Sequence, residues 1–267
     1  MTAHPVLADL RVLVTRPADQ ASRLSLALAE EGASVIELPS VQIDPPLDWA
    51  AVDAAILRGA YDWVVFASVN GVRFFAERLR SAGQGAAWFR GTRVAAIGPE
   101  TARALRALGV SPSLVPDEYV AEALVASMAD SAPLAGRHVL LPQADIGRDT
   151  LASGLEAKGA IVDRVVAYRS VLPTPSRSVV EKLRRGEIDV VTFTSASTVK
   201  NLVAMLGSDA PTLKSCILAC IGPVTAQTAS ELGFDPQITA SSYTIPGLID
   251  AVKGYYVARV ETTGGTF

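Results

Sequence analysis

Short apolar runs alternate with amphipathic stretches along the chain, and the first three segments set the pattern. Val12, Leu13 and Val14 are consecutive apolar residues, as expected of a parallel strand covered on both faces. Residues 18–31 then place apolar side chains at helical spacing, and Gly32 supplies a C-terminal glycine for that helix. A second apolar run follows at 32–36. Strand, helix and strand in this order predict an α/β fold.

Further apolar runs repeat this arrangement, each followed by a helical pattern. We predict parallel strands at 63–66, 94–97, 139–141, 190–193 and 217–221. Polar stretches that contain proline predict linkers at 39–46, 131–137 and 170–175. The polar, glycine-containing end of the chain, residues 258–267, is expected to be a disordered tail.

The chain also resembles itself. A set of residues between Asp62 and Leu79 recurs 127 positions later, and a set between Ile97 and Leu124 recurs 124 positions later. The repeated pairs with polar side chains or glycine include Asp62 and Asp189, Ser68 and Ser195, Gly98 and Gly222, Thr101 and Thr225, and Tyr119 and Tyr243. A match of this length predicts two similar α/β lobes. It leaves open whether the lobes are sequential halves or whether one lobe is built from both ends of the chain.

The composition excludes several classes of protein. With 49% hydrophobic and 19% charged residues, the chain is globular rather than intrinsically disordered. No apolar run approaches the roughly 18 residues of a membrane-spanning helix, and no signal peptide is recognised, so we expect a cytoplasmic protein without membrane contact. A net charge of −3 makes nucleic acid an unexpected partner.

Neither a metal nor an organic cofactor is expected. The only histidines are His4 and His138, too few for a zinc or iron site, and the common dinucleotide- and nucleotide-binding motifs are missing from the sequence. The only cysteines, Cys216 and Cys220, would lie about 13 Å apart on one strand, too far for a disulfide. We expect them to be buried free thiols.

Candidate binding residues follow the predicted strands in matching pairs. Ser68, with Asn70 in the same turn, and Ser195 are placed at helix N-termini, where a serine either caps the helix or helps to bind a carboxylate or phosphate. The motifs IGPETA at 97–102 and IGPVTA at 221–226 place proline at the first helical position. In these motifs Gly98 and Gly222 would allow a ligand close to the backbone, and Thr101 and Thr225 would add hydroxyls; the alternative is that all four only start helices.

Three further residues are candidates on position alone. Arg16 follows the first strand and Arg148 occupies the related place in the repeat, where either guanidinium could bind a carboxylate or remain a solvated surface charge. Tyr168 precedes a predicted linker and would lie at the junction of the lobes, either as a functional group or as a packed side chain.

With VTRP, FxS, IGPxTA and AYR assembled in this order, the chain resembles the uroporphyrinogen-III synthase family over about residues 10–255. The resemblance implies two flavodoxin-like lobes with parallel sheets, joined by a two-stranded linker near Val41 and Arg169, with a cleft between them. One lobe would comprise 1–39 with 172–257, and the other 42–168. It implies a cofactor-independent lyase that cyclises hydroxymethylbilane with loss of water and inversion of the last pyrrole ring. The partners expected are this small molecule and, in transient contact, the enzyme of the preceding step, with the chain itself a monomer.

The family's site residues carry over by matching motifs. Tyr168 would be the catalytic acid, because a phenol holds a proton that it can donate at neutral pH. The remaining residues would bind substrate: Arg16, Ser68, Asn70, Gly98, Thr101, Arg148, Ser195, Gly222 and Thr225. Ala67 and Val224 stand where the family often has hydroxyl-bearing residues. The alternative function is a two-lobed clamshell that binds or senses a small anion.

Overall fold

The computed structural model of the chain describes residues 5–16, 18–146 and 149–262. The strands are β1 (Arg11–Val14), β2 (Ser34–Glu37), β3 (Gln42–Asp44), β4 (Trp63–Phe66), β5 (Arg93–Ala96), β6 (His138–Ala144), β7 (Ile161–Val171), β8 (Val190–Phe193), β9 (Ile217–Cys220) and β10 (Ile238–Thr239). The α-helices are α1 (Ala18–Glu30), α2 (Ala50–Arg58), α3 (Val69–Ser81), α4 (Pro99–Ala107), α5 (Ala121–Ser131), α6 (Thr150–Ala157), α7 (Arg177–Arg184), α8 (Ala196–Leu206), α9 (Pro223–Glu231) and α10 (Ile245–Thr262). Short 3₁₀ helices occupy Ala86–Phe89 and Gly207–Ser215.

Internal contacts divide the chain into two compact units. Met1–Gln42 and Val171–Phe267 form one, here called the terminal unit, and Ile43–Ser170 form the other, the central unit. The chain thus leaves the terminal unit once, builds the central unit from a continuous segment, and returns.

Each unit contains one five-stranded sheet. The strand order is β10-β9-β8-β1-β2 in the terminal unit and β3-β7-β6-β4-β5 in the central unit. The pairs of β1 with β2 and β8, of β8 with β9, and of β9 with β10 are parallel. In the central sheet, the pairs of β4 with β5 and β6, and of β6 with β7, are also parallel. The predicted α/β fold with parallel strands is therefore confirmed.

Helices cover both faces of the terminal sheet, which explains the continuous apolar runs. Val12 and Val14 pack on one face with Leu24 of α1, whereas Leu13 packs on the other face with Leu202 of α8. All of these side chains are fully buried. The central sheet is covered in the same way, and the four residues of β4 are buried throughout. With both faces occupied, the ends of the strands are where a ligand can approach the sheet.

An aspartate directly precedes β8 in the terminal sheet and β4 in the central sheet, and each holds a neighbouring strand by hydrogen bonds. Asp189 accepts hydrogen bonds from the backbone N–H of Arg11 (2.8 Å) and from its guanidinium (2.9 Å). Asp62 accepts from the backbone N–H of His138 and from Arg137, both at 2.9 Å. The Arg11 guanidinium holds the pKa of Asp189 below its usual value, and the His138 N–H does so for the pKa of Asp62. This function explains why the aspartate recurs in the repeat.

Three predicted boundaries differ from the structure. β3 and the end of β7 fall inside the stretches whose polar, proline-containing sequence predicts linkers, near the places where the family resemblance implies two linker strands. They form strands because β3 and β7 lie side by side in the sheet and their backbones pair there. α10 continues through Thr262, so residues 258–262 of the expected tail are helical. Arg259 donates a hydrogen bond to the hydroxyl of Tyr255 one turn earlier, which supports that end of the helix. Residues 263–267 lie outside the described residues. Over the described part of the chain, every helix is too short or too polar to cross a membrane.

Candidate functional site

Four helices begin directly after parallel strands, two in each unit. In the central unit, α3 begins after β4 with Ser68 as its N-cap, and α4 begins after β5 with Gly98. In the terminal unit, α8 begins after β8 with Ser195, and α9 begins after β9 with Gly222. Proline occupies the first helical position of α4 and α9, as predicted. First-turn N–H groups without an intrahelical partner can bind anionic groups, whereas those of Thr198 and Thr225 already donate to the carbonyl oxygens of Ser195 and Gly222.

Both serines cap their helices. The hydroxyl oxygen of Ser68 accepts a hydrogen bond from the backbone N–H of Gly71 at 2.9 Å. That of Ser195 accepts from the N–H of Thr198 at 3.3 Å, and the Thr198 hydroxyl oxygen in turn accepts from the N–H of Ser195. Capping uses only the acceptor side of each hydroxyl, so the proton of either serine remains available to another partner.

The two glycines and the two threonines have different surroundings. Gly98 and Gly222 have φ of −167° and −177°, an extended backbone that any residue can adopt. Thr101 and Thr225 are each only 4% exposed. Their side chains therefore present little surface to a ligand, whereas their backbones lie in the first turn of each helix.

Ser68 and Tyr168 meet in the central unit although 100 positions separate them. The two hydroxyl oxygens are 2.9 Å apart and share a hydrogen bond. The Tyr168 ring stacks on that of Phe74, with the centroids 6.0 Å apart and the planes inclined by 16°. Tyr168 is 9% exposed. Its ring is thus fixed by stacking and its hydroxyl by Ser68, which is in turn fixed by its role as a cap.

A bulge in β7 aims Tyr168 at this position. Gln143 of β6 pairs with Val166 of β7, but the next residue, Ala144, pairs with Tyr168, so that Ala167 is an extra residue on β7. The extra residue breaks the alternation of side chains, and Ala167 and Tyr168 are both buried against Phe74. Bulges of this kind commonly redirect a side chain beside a functional site.

A pocket of about 390 Å³ opens beside the two hydroxyls at the carboxyl ends of β4 to β7. Its polar side chains come from the ends of these strands and from the starts of α5 and α6. The lining consists of Ala67, Ser68, Ile97, Tyr119, Val120, Ala121, Glu122, Leu141, Pro142, Gln143, Ala144, Ile146, Thr150, Leu151 and Tyr168. The pocket is therefore largely apolar, with hydroxyl groups on several sides.

Asn70 and Arg16 lie close to strand ends but outside this lining. Asn70 is half-buried in the first turn of α3. Arg16 is half-buried directly after β1 in the terminal unit. Arg148 lies outside the described residues; its neighbours along the chain, Ile146 and Thr150, line the pocket.

Sequence reasoning missed Tyr119, Glu122 and Thr150 as lining residues. A signal existed for Tyr119, because the repeat pairs it with Tyr243. Neither tyrosine directly follows a predicted strand, so the sequence pattern did not mark Tyr119 as a site residue. Glu122 and Thr150 carried no signal beyond their positions at predicted helix starts.

The cysteines of the terminal unit are free and buried, as predicted. Burial raises the pKa of the Cys220 thiol to about 12, so that it is protonated and unreactive at neutral pH. Within the described residues, no group of three or more histidine, cysteine, aspartate or glutamate side chains is arranged to hold a metal ion.

Comparison with protein families and curated sequences gives matches over most of the chain. A profile of the family described as "Uroporphyrinogen-III synthase HemD" matches residues 22–250. A uroporphyrinogen-III synthase from Synechococcus elongatus is 34% identical over 263 residues, which cover 95% of this chain and 97% of the relative. The uroporphyrinogen-III synthase from Escherichia coli is 24% identical over 248 residues, 91% of this chain and all of the relative.

Solved structures support the fold. A mutant uroporphyrinogen III synthase from the extremely thermophilic bacterium Thermus thermophilus superposes with a TM-score of 0.56 at 19% identity, covering 94% of this chain and 99% of its own. The corresponding protein from Helicobacter pylori also gives 0.56, at 16% identity, covering 92% and 99%. At these identities the likeness is one of fold.

Proposed function

The chain belongs to the uroporphyrinogen-III synthase family, and from that membership we propose how its residues act on hydroxymethylbilane. It is a lyase of porphyrin biosynthesis that cyclises this linear tetrapyrrole. The reaction releases water and inverts the last pyrrole ring. The clamshell alternative, a protein that only binds or senses a small anion, is not favoured by the family match.

Tyr168 is the proposed acid. The observation that carries this assignment is its hydroxyl contact with Ser68 at 2.9 Å, on the wall of the central-unit pocket. When the C–O bond of the hydroxymethyl group breaks, the Tyr168 phenol gives its proton to the departing oxygen, which leaves as water. When the unsubstituted α-carbon of the last pyrrole has formed its new C–C bond, it releases its proton, and this proton restores the phenol. Ser68 holds the phenol in place during the exchange.

The helix starts bind the substrate carboxylates in this proposal. First-turn N–H groups of α3 and α4 serve in the central unit, and those of α8 and α9 serve in the terminal unit. Their positions are marked by Ser68, Asn70, Gly98, Ser195 and Gly222. Backbone donors of this kind require no net positive charge, which suits a chain of net charge −3.

Threonine and arginine residues have secondary roles in this binding. We assign Thr101 a contribution through its backbone N–H group, because its side chain is nearly buried. The N–H of Thr225 already donates to the carbonyl oxygen of Gly222 at 3.1 Å, so Thr225 contributes by shaping the start of α9. Arg16 and Arg148 supply guanidinium groups at the ends of related strands, where two parallel hydrogen bonds can hold one carboxylate.

The finer organisation of the chain is part of the proposal. The two lobes are copies of one flavodoxin-like unit, joined by linkers near Val41 and Arg169. One lobe comprises residues 1–39 and 172–257, and the other comprises residues 42–168. The matching strand orders support this, since β2-β1-β8-β9 in one sheet corresponds to β7-β6-β4-β5 in the other. The chain is proposed to act as a cytoplasmic monomer that receives its unstable substrate from the preceding enzyme.

Incubation with freshly generated hydroxymethylbilane tests the function directly. After oxidation, the porphyrin isomers are separated and quantified, with heat-inactivated protein as the control. The expected result is an excess of the type III isomer that increases with protein concentration. An isomer distribution identical to that of the inactivated control would overturn the proposal.

A further inference from the structure

Each unit contains a tyrosine ring that lies on the N-cap glycine of a helix. A Cβ atom built on Gly98 would be 3.3 Å from Cγ of Tyr119, and one built on Gly222 would be 2.9 Å from Cδ1 of Tyr243. The two pairs are related by the 124-residue repeat. The same contact has thus arisen at corresponding places in both halves of the repeat.

The glycines are needed for space rather than for backbone conformation. Their φ angles are extended, so alanine could adopt the same backbone without strain. A methyl group at either position would instead push the ring away, because contacts under about 3.4 Å are already tight. The glycine therefore allows the tyrosine ring to lie against the backbone at the start of the helix.

Both rings remain largely open to solvent despite this close packing. Tyr119 is 60% exposed and Tyr243 is 64% exposed. A tyrosine that served only the core would bury most of its ring, as Tyr61 does in the same unit. Tyr119 instead lines the pocket that contains Ser68 and Tyr168. Its exposed ring face is a rigid aromatic surface with few rotatable bonds to immobilise on binding.

We propose that Tyr119 is a substrate-binding residue whose ring packs against a pyrrole ring of the bilane, held in place by Gly98. This inference rests on the proposed function, which supplies a substrate made of linked aromatic rings. Pyrrole carries an aromatic face that stacks on a tyrosine ring as other flat heterocycles do. A ring held here would fix the orientation of the chain of pyrroles beside the proposed acid.

Four variants and a control test the proposal: Tyr119→Ala, Tyr119→Phe, Gly98→Ala, the Tyr119→Ala/Gly98→Ala double variant, and Leu57→Ala. Leu57 is 86% exposed on α2 and outside the pocket lining, so it controls for loss of exposed apolar surface. For each protein, kcat and KM with hydroxymethylbilane, the fraction of type III product, and the Kd for uroporphyrinogen III under anaerobic conditions are measured. Thermal unfolding establishes that each variant is folded.

The aromatic face predicts a specific pattern. Tyr119→Ala should raise KM and the product Kd about tenfold and lower the fraction of type III isomer, with a smaller change in kcat. Tyr119→Phe should stay within about twofold of the wild type, because the ring is retained. Gly98→Ala should weaken binding about threefold when Tyr119 is present but add nothing when Tyr119 is already alanine. Any loss of stability caused by alanine at the N-cap of α4 is the same in both backgrounds. The difference between the two backgrounds therefore isolates the contact between Gly98 and Tyr119.

The failures can be told apart. A Tyr119→Ala variant with wild-type KM and Kd would overturn the inference while leaving the proposed function intact, provided that the wild type makes type III product. A Phe variant as weak as the Ala variant would also overturn it, because the hydroxyl rather than the ring face would then bind. Equal effects of Gly98→Ala in both backgrounds would show that Gly98 serves the ligand directly and does not act through Tyr119. A wild type without type III product would overturn the proposed function and this inference with it.

Discussion

Replacement of Tyr168 by phenylalanine removes one oxygen atom from the centre of the central-unit site. The ring keeps its stacking on Phe74, because only the hydroxyl is lost. The hydroxyl of Ser68 loses its 2.9 Å partner but still caps α3 through the N–H of Gly71. The variant therefore separates the phenolic proton from the packing of the ring.

The expected effects on stability and on rate differ in size. Loss of one neutral hydrogen bond should lower the free energy of unfolding by about 1 kcal/mol, which is roughly 2–4 °C in Tm for a chain of this size. A positioned acid contributes about 10²- to 10⁴-fold, but the hydroxyl of the bilane leaves readily, so we expect turnover to slow by about ten- to a hundredfold. That range corresponds to roughly 1.4–2.7 kcal/mol in the activation free energy. The product should remain type III, because the positioning groups are untouched.

The assay is turnover of freshly prepared hydroxymethylbilane with isomer analysis of the oxidised products. Ser68→Ala is the comparison variant, since it breaks the same hydrogen bond and keeps the Tyr168 phenol, while it also removes the N-cap of α3. We expect it to slow turnover less than Tyr168→Phe does.

A Phe variant at full rate would make Tyr168 a packing residue. Equal slowing by both variants would show that the hydrogen bond, and not the proton, is what matters. A Phe variant that released mainly the type I isomer would assign Tyr168 to the orientation of the last ring.

Three further outcomes are expected. Asp189→Asn should lower the free energy of unfolding by about 1–2 kcal/mol at pH 7, because a charge-assisted bond to Arg11 at a partly exposed site is lost. The folded-state pKa of Asp189 is lowered, so this stabilisation is present above the unfolded-state pKa of about 4 and declines as the pH falls through the folded-state pKa. In denaturant titrations, the difference in unfolding free energy between wild type and variant should be smaller at pH 3 than at pH 7. Thr225→Val should leave the Kd for uroporphyrinogen III within about twofold, since its side chain is nearly buried, and a loss beyond about fivefold would reveal a direct hydroxyl contact. Activity should survive exhaustive chelation and dialysis, because the sequence contains only two histidines; loss of turnover that added metal restores would contradict this.

The sequence predicted the central strands well, because strands buried on both faces are continuous apolar runs. β4 and β8 occupy the predicted positions, and β5 and β9 differ from them by one residue. β7 is not among the predicted apolar runs because its burial is mixed, with polar residues such as Asp163 and Arg164 inside it; only its end, the strand that finishes in AYR, was predicted. Two of the three residues of β3 are polar, and its strand conformation depends on pairing with β7. Pairing of this kind is a tertiary effect that no local pattern contains.

The site was predictable where it depends on local chemistry. The N-caps Ser68, Gly98, Ser195 and Gly222 follow from the turn and helix-start residues beside each strand. The contact between Ser68 and Tyr168 was not predictable from local patterns, because it depends on the order of strands in the sheet and on one extra residue in β7. Neither feature leaves a periodic trace in the sequence.

The discontinuity of the terminal unit has a consequence for folding during synthesis. Val12 of β1 pairs with Val190 of β8, which leaves the ribosome about 180 residues later, or roughly 10–40 s at ordinary elongation rates. Throughout that interval β1 has only β2 to pair with, and its apolar residues, fully buried in the finished protein, lack the rest of their sheet. The central unit, continuous from Ile43 to Ser170, can fold in the meantime. The nascent chain would therefore carry a folded middle and an N-terminal strand whose apolar residues are still exposed.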